Sequence, residues 1–148
     1  IAQDGGAVQY ASAELRGDRE VVLAAVAQNG DALNYVPQFK GDRELMLAAV
    51  ARNGLVLRFA SAEVLRDREV LLAAVTQDGL ALRYAPTELA EDLEVVLAAV
   101  KQNGHALGWT GARGEREVVL AAVRRDGCAL RYACSSLQGD REVVLAAV

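Results

Sequence analysis

The sequence predicts an all-α fold, an α-solenoid of about six stacked repeats of 23–25 residues, each made of a long helix, a Gly, and a short helix or turn. Three observations predict it. One phrase recurs along the whole chain, each copy carries the start signal of a helix and the first five its stop signal, and that helix is apolar on every side.

The phrase reads DREVVLAAVAQNG from Asp18, DRELMLAAVARNG from Asp42, DREVLLAAVTQDG from Asp67, DLEVVLAAVKQNG from Asp92, EREVVLAAVRRDG from Glu115 and DREVVLAAV from Asp140. Successive starts stand 24, 25, 25, 23 and 25 residues apart. Asp is a preferred N-cap because its carboxylate accepts from orphan backbone N–H groups. The Glu two residues on (Glu20, Glu44, Glu69, Glu94, Glu117, Glu142) lies in the first turn, at the positive end of the helix dipole. Helices are predicted over 18–29, 42–53, 67–78, 92–103 and 115–126, and from 140 onward.

The pair Asn/Asp-Gly closes each helix. The glycines Gly30, Gly54, Gly79, Gly104 and Gly127 are expected to take the left-handed conformation of a helix C-terminus. A helix of roughly eleven residues is marginal alone in water. Its stability must come from neighbours, and Val21–Val26 shows which: six consecutive apolar residues need a helix before, a helix after and a second layer behind. The first-turn Glu recurs more strictly than a surface charge requires. It, or the cap Asp, is expected to meet an Arg of an adjacent repeat, drawn from Arg19, Arg43, Arg68, Arg116 and Arg141.

After the Gly comes G-x-A-L-x-Y-A, as in Gly30–Tyr35 and Gly79–Tyr84. This segment is read as a short helix of one to two turns. The aromatic column Tyr10, Tyr35, Phe59, Tyr84, Trp109 and Tyr132 is read as core, with ring volume as the requirement because Phe59 lacks the hydroxyl. A Ser or Pro at Ser12, Pro37, Ser61 or Pro86 then starts one further helical turn with an apolar plug, Leu15, Phe39, Val64, Leu89 or Leu137.

The fifth connection departs. His105-Ala-Leu-Gly108-Trp109-Thr-Gly-Ala-Arg113-Gly114 is shorter, has no apolar plug and carries Trp for Tyr. One reading is that the larger ring fills the volume the missing plug leaves. The other is that Trp109 and its surroundings contact a partner, within a notch between repeats.

The phrase D-R-E-V-V-L-A-A-V-x-Q-N-G-x-A-L-x-Y-A resembles a family of tandem repeats known as domain of unknown function number 4116, common in algae and other protists. The likeness covers essentially the whole chain. The family has no assigned activity, cofactor or catalytic residue, so the resemblance implies none at any position here. The rhythm of long helix, Gly and short helix is also similar to other short-repeat α-solenoids, by analogy alone.

Composition bounds the function. Hydrophobic residues make up 53% and aromatic residues only 5%, so the core must be built from Ala, Val and Leu. A net charge of −4 argues against a nucleic-acid or anionic-membrane partner. The longest apolar run, Val21–Ala27, is far too short for direct membrane insertion. Two cysteines make no disulfide framework, and the compartment stays open, with an intracellular one, cytoplasmic or organellar, favoured.

No residue set here asks for catalysis, a cofactor or a metal. His105 and Cys128 follow the glycines of adjacent repeats, but stacked helices stand about 8–10 Å apart and a nucleophile and its base need about 3 Å. The acids Asp18, Asp42, Asp67, Asp92, Glu115 and Asp140 recur in every repeat and are caps, whereas a catalytic site is built once. The columns that vary inside the strict repeat mark surface. One follows the Gly and includes His105; the other holds Arg58, Arg83, Gly108 and Arg131. Arg58, Arg83, His105, Trp109, Arg113 and Arg131 are therefore the candidate partner surface. Residues 1–148 are read as a single helical-repeat domain, expected to belong to a longer array because neither end carries a polar cap. The expected function is protein binding or scaffolding, as a free adaptor or a peripheral subunit of a large assembly. A nucleic-acid-binding repeat is the alternative and an enzyme is disfavoured.

Overall fold

The Asp-x-Glu and Asn/Asp-Gly signals bracket the long helices in the computed structural model, which describes residues 4–148. The long helices are α1 (Arg19–Gln28), α2 (Arg43–Val50), α3 (Arg68–Gln77), α4 (Leu93–Gln102), α5 (Arg116–Arg125) and α6 (Arg141–Ala147). Their starts follow the cap acids by one residue. α2 ends earlier than its sequence suggests, because Ala51 and Arg52 relax into a turn. There is no strand among the described residues. In sequence Ile1–Gln3 are equivalent to Val26–Gln28, the end of a long helix, and they lie outside the described residues.

Each Gly opens a six-residue 3-10 helix: Gly5–Tyr10, Gly30–Tyr35, Gly54–Phe59, Gly79–Tyr84, Gly104–Trp109 and Gly127–Tyr132. The connections then make one more turn. It is α-helical at Ala13–Gly17, Ala62–Leu65, Thr87–Ala90 and Ser135–Gln138, and 3-10 at Pro37–Phe39 and Ala112–Gly114. Long helices pack on long helices, α1 to α6 in order, and the 3-10 helices pack on one another in the same order as a second layer.

The core lies between these layers. The long helices bury residues at i, i+1, i+4 and i+5, as in Val70, Leu71, Ala74 and Val75, or Val95, Val96, Ala99 and Val100. The 3-10 helices bury Ala-Leu pairs such as Ala81–Leu82 and Ala106–Leu107. The remaining Leu-Ala pairs of the long helices, including Leu72–Ala73 and Leu97–Ala98, are only half-buried and leave an apolar stripe along the outer side.

Two expectations need correction. The glycines are not left-handed C-termini, for no described glycine has positive φ. They are instead points of close approach. A Cβ on Gly30 would lie 2.8 Å from the Ala49 carbonyl oxygen, and one on Gly104 would lie 2.6 Å from that of Ala122. Gly54, Gly79 and Gly127 meet Ala74, Ala99 and Ala147 of the next repeat in the same way. The preceding Asn or Asp is the N-cap of the 3-10 helix: Asn29, Asn53, Asp78, Asn103 and Asp126 each accept from the N–H two residues on.

The aromatic column is not core either. Tyr10 is 84% and Trp109 51% exposed, Tyr35 is exposed, and Phe59, Tyr84 and Tyr132 are half-buried. The place of the ring at the end of the 3-10 segment accounts for it. With three residues per turn, the ring follows the buried Ala by one turn, and it leaves the layer at the last position of the segment. Core volume is supplied by the Leu beside that Ala. Trp109 therefore does not fill the space of the missing plug. That connection is held by Thr110, which is 4% exposed and donates its hydroxyl to the Ala90 carbonyl at 2.7 Å.

Two outcomes in chemical denaturation follow. Gly79→Ala is expected to cost about 1–3 kcal/mol by overpacking, whereas Gly17→Ala, with open space around it, is expected to cost less than about 0.5 kcal/mol. Leu107→Ala is expected to cost about 2–5 kcal/mol, and Tyr84→Ala no more than about half the roughly 3–5 kcal/mol of a fully buried ring. Equal losses for these last two would place the tyrosine in the core after all.

Candidate functional site: an arginine–aromatic face and a salt-bridge ladder

Two rows of charge run along the stack. The first is structural. The cap Asp uses one oxygen for its own helix and the other for a neighbour. Asp67 Oδ1 accepts from the Glu69 and Val70 N–H groups, while Oδ2 accepts from Arg43 Nε at 2.6 Å. Arg19 reaches Asp42 at 3.0 Å, Arg68 reaches Asp92 at 2.9 Å and Arg116 reaches Asp140 at 2.6 Å. The same guanidiniums bind the first-turn acids Glu44, Glu69, Glu94 and Glu142. Each rung is thus one fork-shaped cation across two carboxylates of the next repeat. That is the recurrent use of the first-turn Glu which the dipole alone does not explain.

The electrostatics follow from this geometry. The guanidinium of Arg43 holds the Asp67 carboxyl below its ordinary value of 3.8, and Arg68 and Arg116 do the same for Asp92 and Asp140. At Asp42 burial pushes upward, but the Leu45 N–H and Arg19 outweigh it and the carboxyl is again lowered.

A second ladder was not foreseen. Gln77 Nε2 donates to the Arg52 carbonyl at 3.3 Å, Gln102 Nε2 to the Gln77 carbonyl at 3.1 Å, and Arg125 Nε to the Gln102 carbonyl at 3.0 Å. The signal was a long polar side chain at one column of the phrase (Gln28, Arg52, Gln77, Gln102, Arg125), which reads as a solvated face unless the stacking is known.

The second row of charge is the candidate site. Because the rings stand at the rim of the core, Phe59, Tyr84 and Tyr132 each lie beside the exposed Arg that precedes them. Arg58 stacks 4.5 Å from the Phe59 ring, with Lys40 on the same ring at 5.8 Å. Arg83 lies 5.1 Å from Tyr84 and 5.6 Å from Trp109 of the next repeat. Arg131 lies 5.2 Å from Tyr132. Gly108 would break this row, but Arg113 folds back from the short connection and donates to the Gly108 carbonyl at 2.5 Å and to that of Thr110 at 3.2 Å. Gly108 also makes room: a Cβ there would press on the Tyr132 ring at 3.2 Å.

His105 completes the arrangement. Its Nε2 lies 2.8 Å from Asp126, and its ring meets Tyr132 edge-on at 5.8 Å. Arg83, His105, Gly108, Trp109, Arg113 and Tyr132, with Leu80, line a groove of about 490 Å³. Five of the six residues singled out in the sequence thus fall together or in direct continuation: Arg83, His105, Trp109 and Arg113 in the groove, and Arg131 on its Tyr132 wall. Arg58 stands one repeat away, where Asp31 at 3.7 Å shares its charge. Sequence reading missed Lys40, Phe59, Tyr84 and Tyr132 as surface, because it assigned the rings to the core.

No group of three or more His, Cys, Asp or Glu side chains fit for a metal ion occurs among the described residues, and none of their helices is long and apolar enough to cross a membrane. Cys128 and Cys134 are free thiols.

Stacked two-layer repeats with a continuous core and a variable outer column define an all-α repeat protein. The profile of the family described as domain of unknown function (DUF4116) matches at residues 1–40, 42–89, 67–110 and 115–148, and the chain belongs to that family. No curated protein and no solved structure matches it.

The salt-bridge ladder sets an acid limit. Asp42, Asp67, Asp92 and Asp140 have lowered folded-state values, so their contribution is complete above the unfolded value near 3.8 and is lost as pH falls through the folded one. The urea midpoint is expected to be flat from pH 7 to about 5 and to fall between about pH 4 and 2. Asp67→Asn should flatten part of that fall. A midpoint that rises on acidification through this window would reverse the sign.

Proposed function

We propose that this chain is a non-catalytic, protein-binding solenoid that works as a scaffold or as a peripheral subunit of a larger assembly. The observation that carries the reading is the arginine–aromatic row. A fold that needed its rings for stability would bury them. Here Tyr10, Tyr35 and Trp109 are exposed and Phe59, Tyr84 and Tyr132 only half-buried, Phe59, Tyr84, Trp109 and Tyr132 lie against a cation, and the one irregular connection opens a groove beside Trp109. Trp, Tyr and Arg are the residue types that dominate binding hot spots. Their conformations are already fixed by stacking, so little ordering remains to oppose association. The stacked repeats supply a rigid support, and the reading assigns no catalytic residue and no cofactor.

One observation favours a second reading, a nucleic-acid-binding repeat. Cations alternate with rings along the row, and Arg113 restores charge where Gly108 interrupts it. Bases stack on such surfaces. Against it stand the net charge of −4 and the acids Asp31 and Asp126, which lie against Arg58 and His105 of this face.

Capture with the immobilised chain from its native source, followed by Trp109→Ala and Arg83→Ala, separates the readings. The protein reading expects a discrete partner whose affinity drops about 30-fold or more with Trp109→Ala, a hot-spot loss of about 2 kcal/mol. Random single-stranded RNA should give no salt-dependent mobility shift near physiological ionic strength. A steep salt slope with RNA, abolished by the same substitutions, would transfer the function to the second reading.

A further inference from the structure

The salt-bridge ladder has one gap. In four repeats an Arg closes the rung onto the cap acid and first-turn Glu of the next repeat. In the fourth repeat the equivalent residue is Leu93, so the acids that the repeat sets opposite it, Glu115 and Glu117, have no cation from that side. Neither makes an ion pair among the described residues, whereas the acids of the rungs on either side, Asp92 and Glu94, Asp140 and Glu142, are all occupied. Glu115 is released in a second way. Unlike the Asp caps, it makes no side-chain hydrogen bond to the start of its own helix.

Leu93 also belongs to an apolar groove, which the side chains of α4 and the Arg68 rung line. Leu93 is 50% exposed and, with Leu97 and Ala98, floors a groove of about 720 Å³ along the outer side of α4. The Arg68 rung bounds one part of it, and Lys101 lies two turns along the helix, about 12 Å away. A scattered exposed Leu is ordinary on a protein surface. Here it stands at the position from which, in four other rungs, an Arg reaches the equivalent pair of carboxylates.

We propose that this gap docks a segment of a partner protein that presents one arginine beside an apolar side chain. The arginine occupies the position that the chain's own Arg takes in the closed rungs, and the apolar neighbour covers Leu93 and Leu97. Charge complementarity selects the residue: a planar fork spans two carboxylates in a way that a point-like ammonium does not. Lys101 at the far end orients the segment by repelling the arginine towards Glu115 and Glu117. None of these residues lines the Trp109 groove, so the proposal stands or falls separately from the reading of that face.

The test is a titration of the isotope-labelled chain with the peptide acetyl-Ala-Leu-Arg-Leu-Ala-amide, followed by backbone amide shifts. The expected result is saturable shifts centred on Leu93, Leu97, Glu115 and Glu117. The peptide with citrulline in place of arginine, equal in shape but uncharged, should bind about tenfold more weakly or worse. Glu117→Gln should weaken the arginine peptide similarly. Leu93→Arg should abolish binding while raising the melting temperature, because it closes the rung from within. Absence of saturable shifts up to millimolar peptide, equal binding of the citrulline peptide, or binding that survives Leu93→Arg would each overturn the proposal. So would concentration-dependent shifts at the same residues without peptide, which would make the occupant a second copy of the chain.

Discussion

The close approach of each glycine to the long helix of the next repeat is the constraint on which the rest depends. A carbonyl oxygen of one helix sits where a side chain would begin on the neighbouring 3-10 segment. With Gly at that point, the 3-10 layer drops onto the helix layer, and Ala-Leu pairs of medium size are enough to fill the space between them. A core of small side chains therefore works only because the layers are close. The same contact repeats along the stack, so its tolerance is set everywhere at once.

That closeness also fixes the charges. Repeats held at one spacing bring each Arg to the same pair of carboxylates, and the cap Asp can serve its own helix and its neighbour together. Surface ion pairs contribute little singly. Their value here lies in register: an Arg fork that spans an Asp and a Glu of the following repeat is satisfied at one offset only. The Gln and Arg side chains that donate to carbonyls of the preceding repeat act at the other end of the long helices in the same sense. Where the pattern lapses, at Leu93 and in the connection after Gly104, the fold persists because the glycine contact and the Ala-Leu core do not change there.

The arginine–aromatic row shows how one layer is both structural and available. The 3-10 segment buries its glycine, alanine and leucine and turns its ring outward, where the preceding Arg covers it. Packing holds the first three residues alike in nearly every repeat and leaves the residue before the ring free to be Asn34, Arg58, Arg83, Gly108 or Arg131. The DUF4116 family is one of unknown function, so membership assigns no activity, and the proposed function rests on the chemistry of that row.

The sequence by itself determined the repeat, its period, the long helices and their Asp caps, because these are local signals written six times over. It also raised an inter-repeat role for the first-turn Glu or the cap Asp, and marked the fifth connection as the place where the pattern departs. Only the tertiary structure decided what the glycines and the rings do. A Gly after Asn reads equally as a left-handed terminus or as a point of contact, and the difference lies in a carbonyl of the next repeat. A ring at every period reads as core until its place at the last position of the 3-10 segment, on the rim of the layer, is known. The partner of Arg83, the return of Arg113 to Gly108 and the vacancy opposite Leu93 are likewise relations between repeats, so no single stretch of sequence contains them.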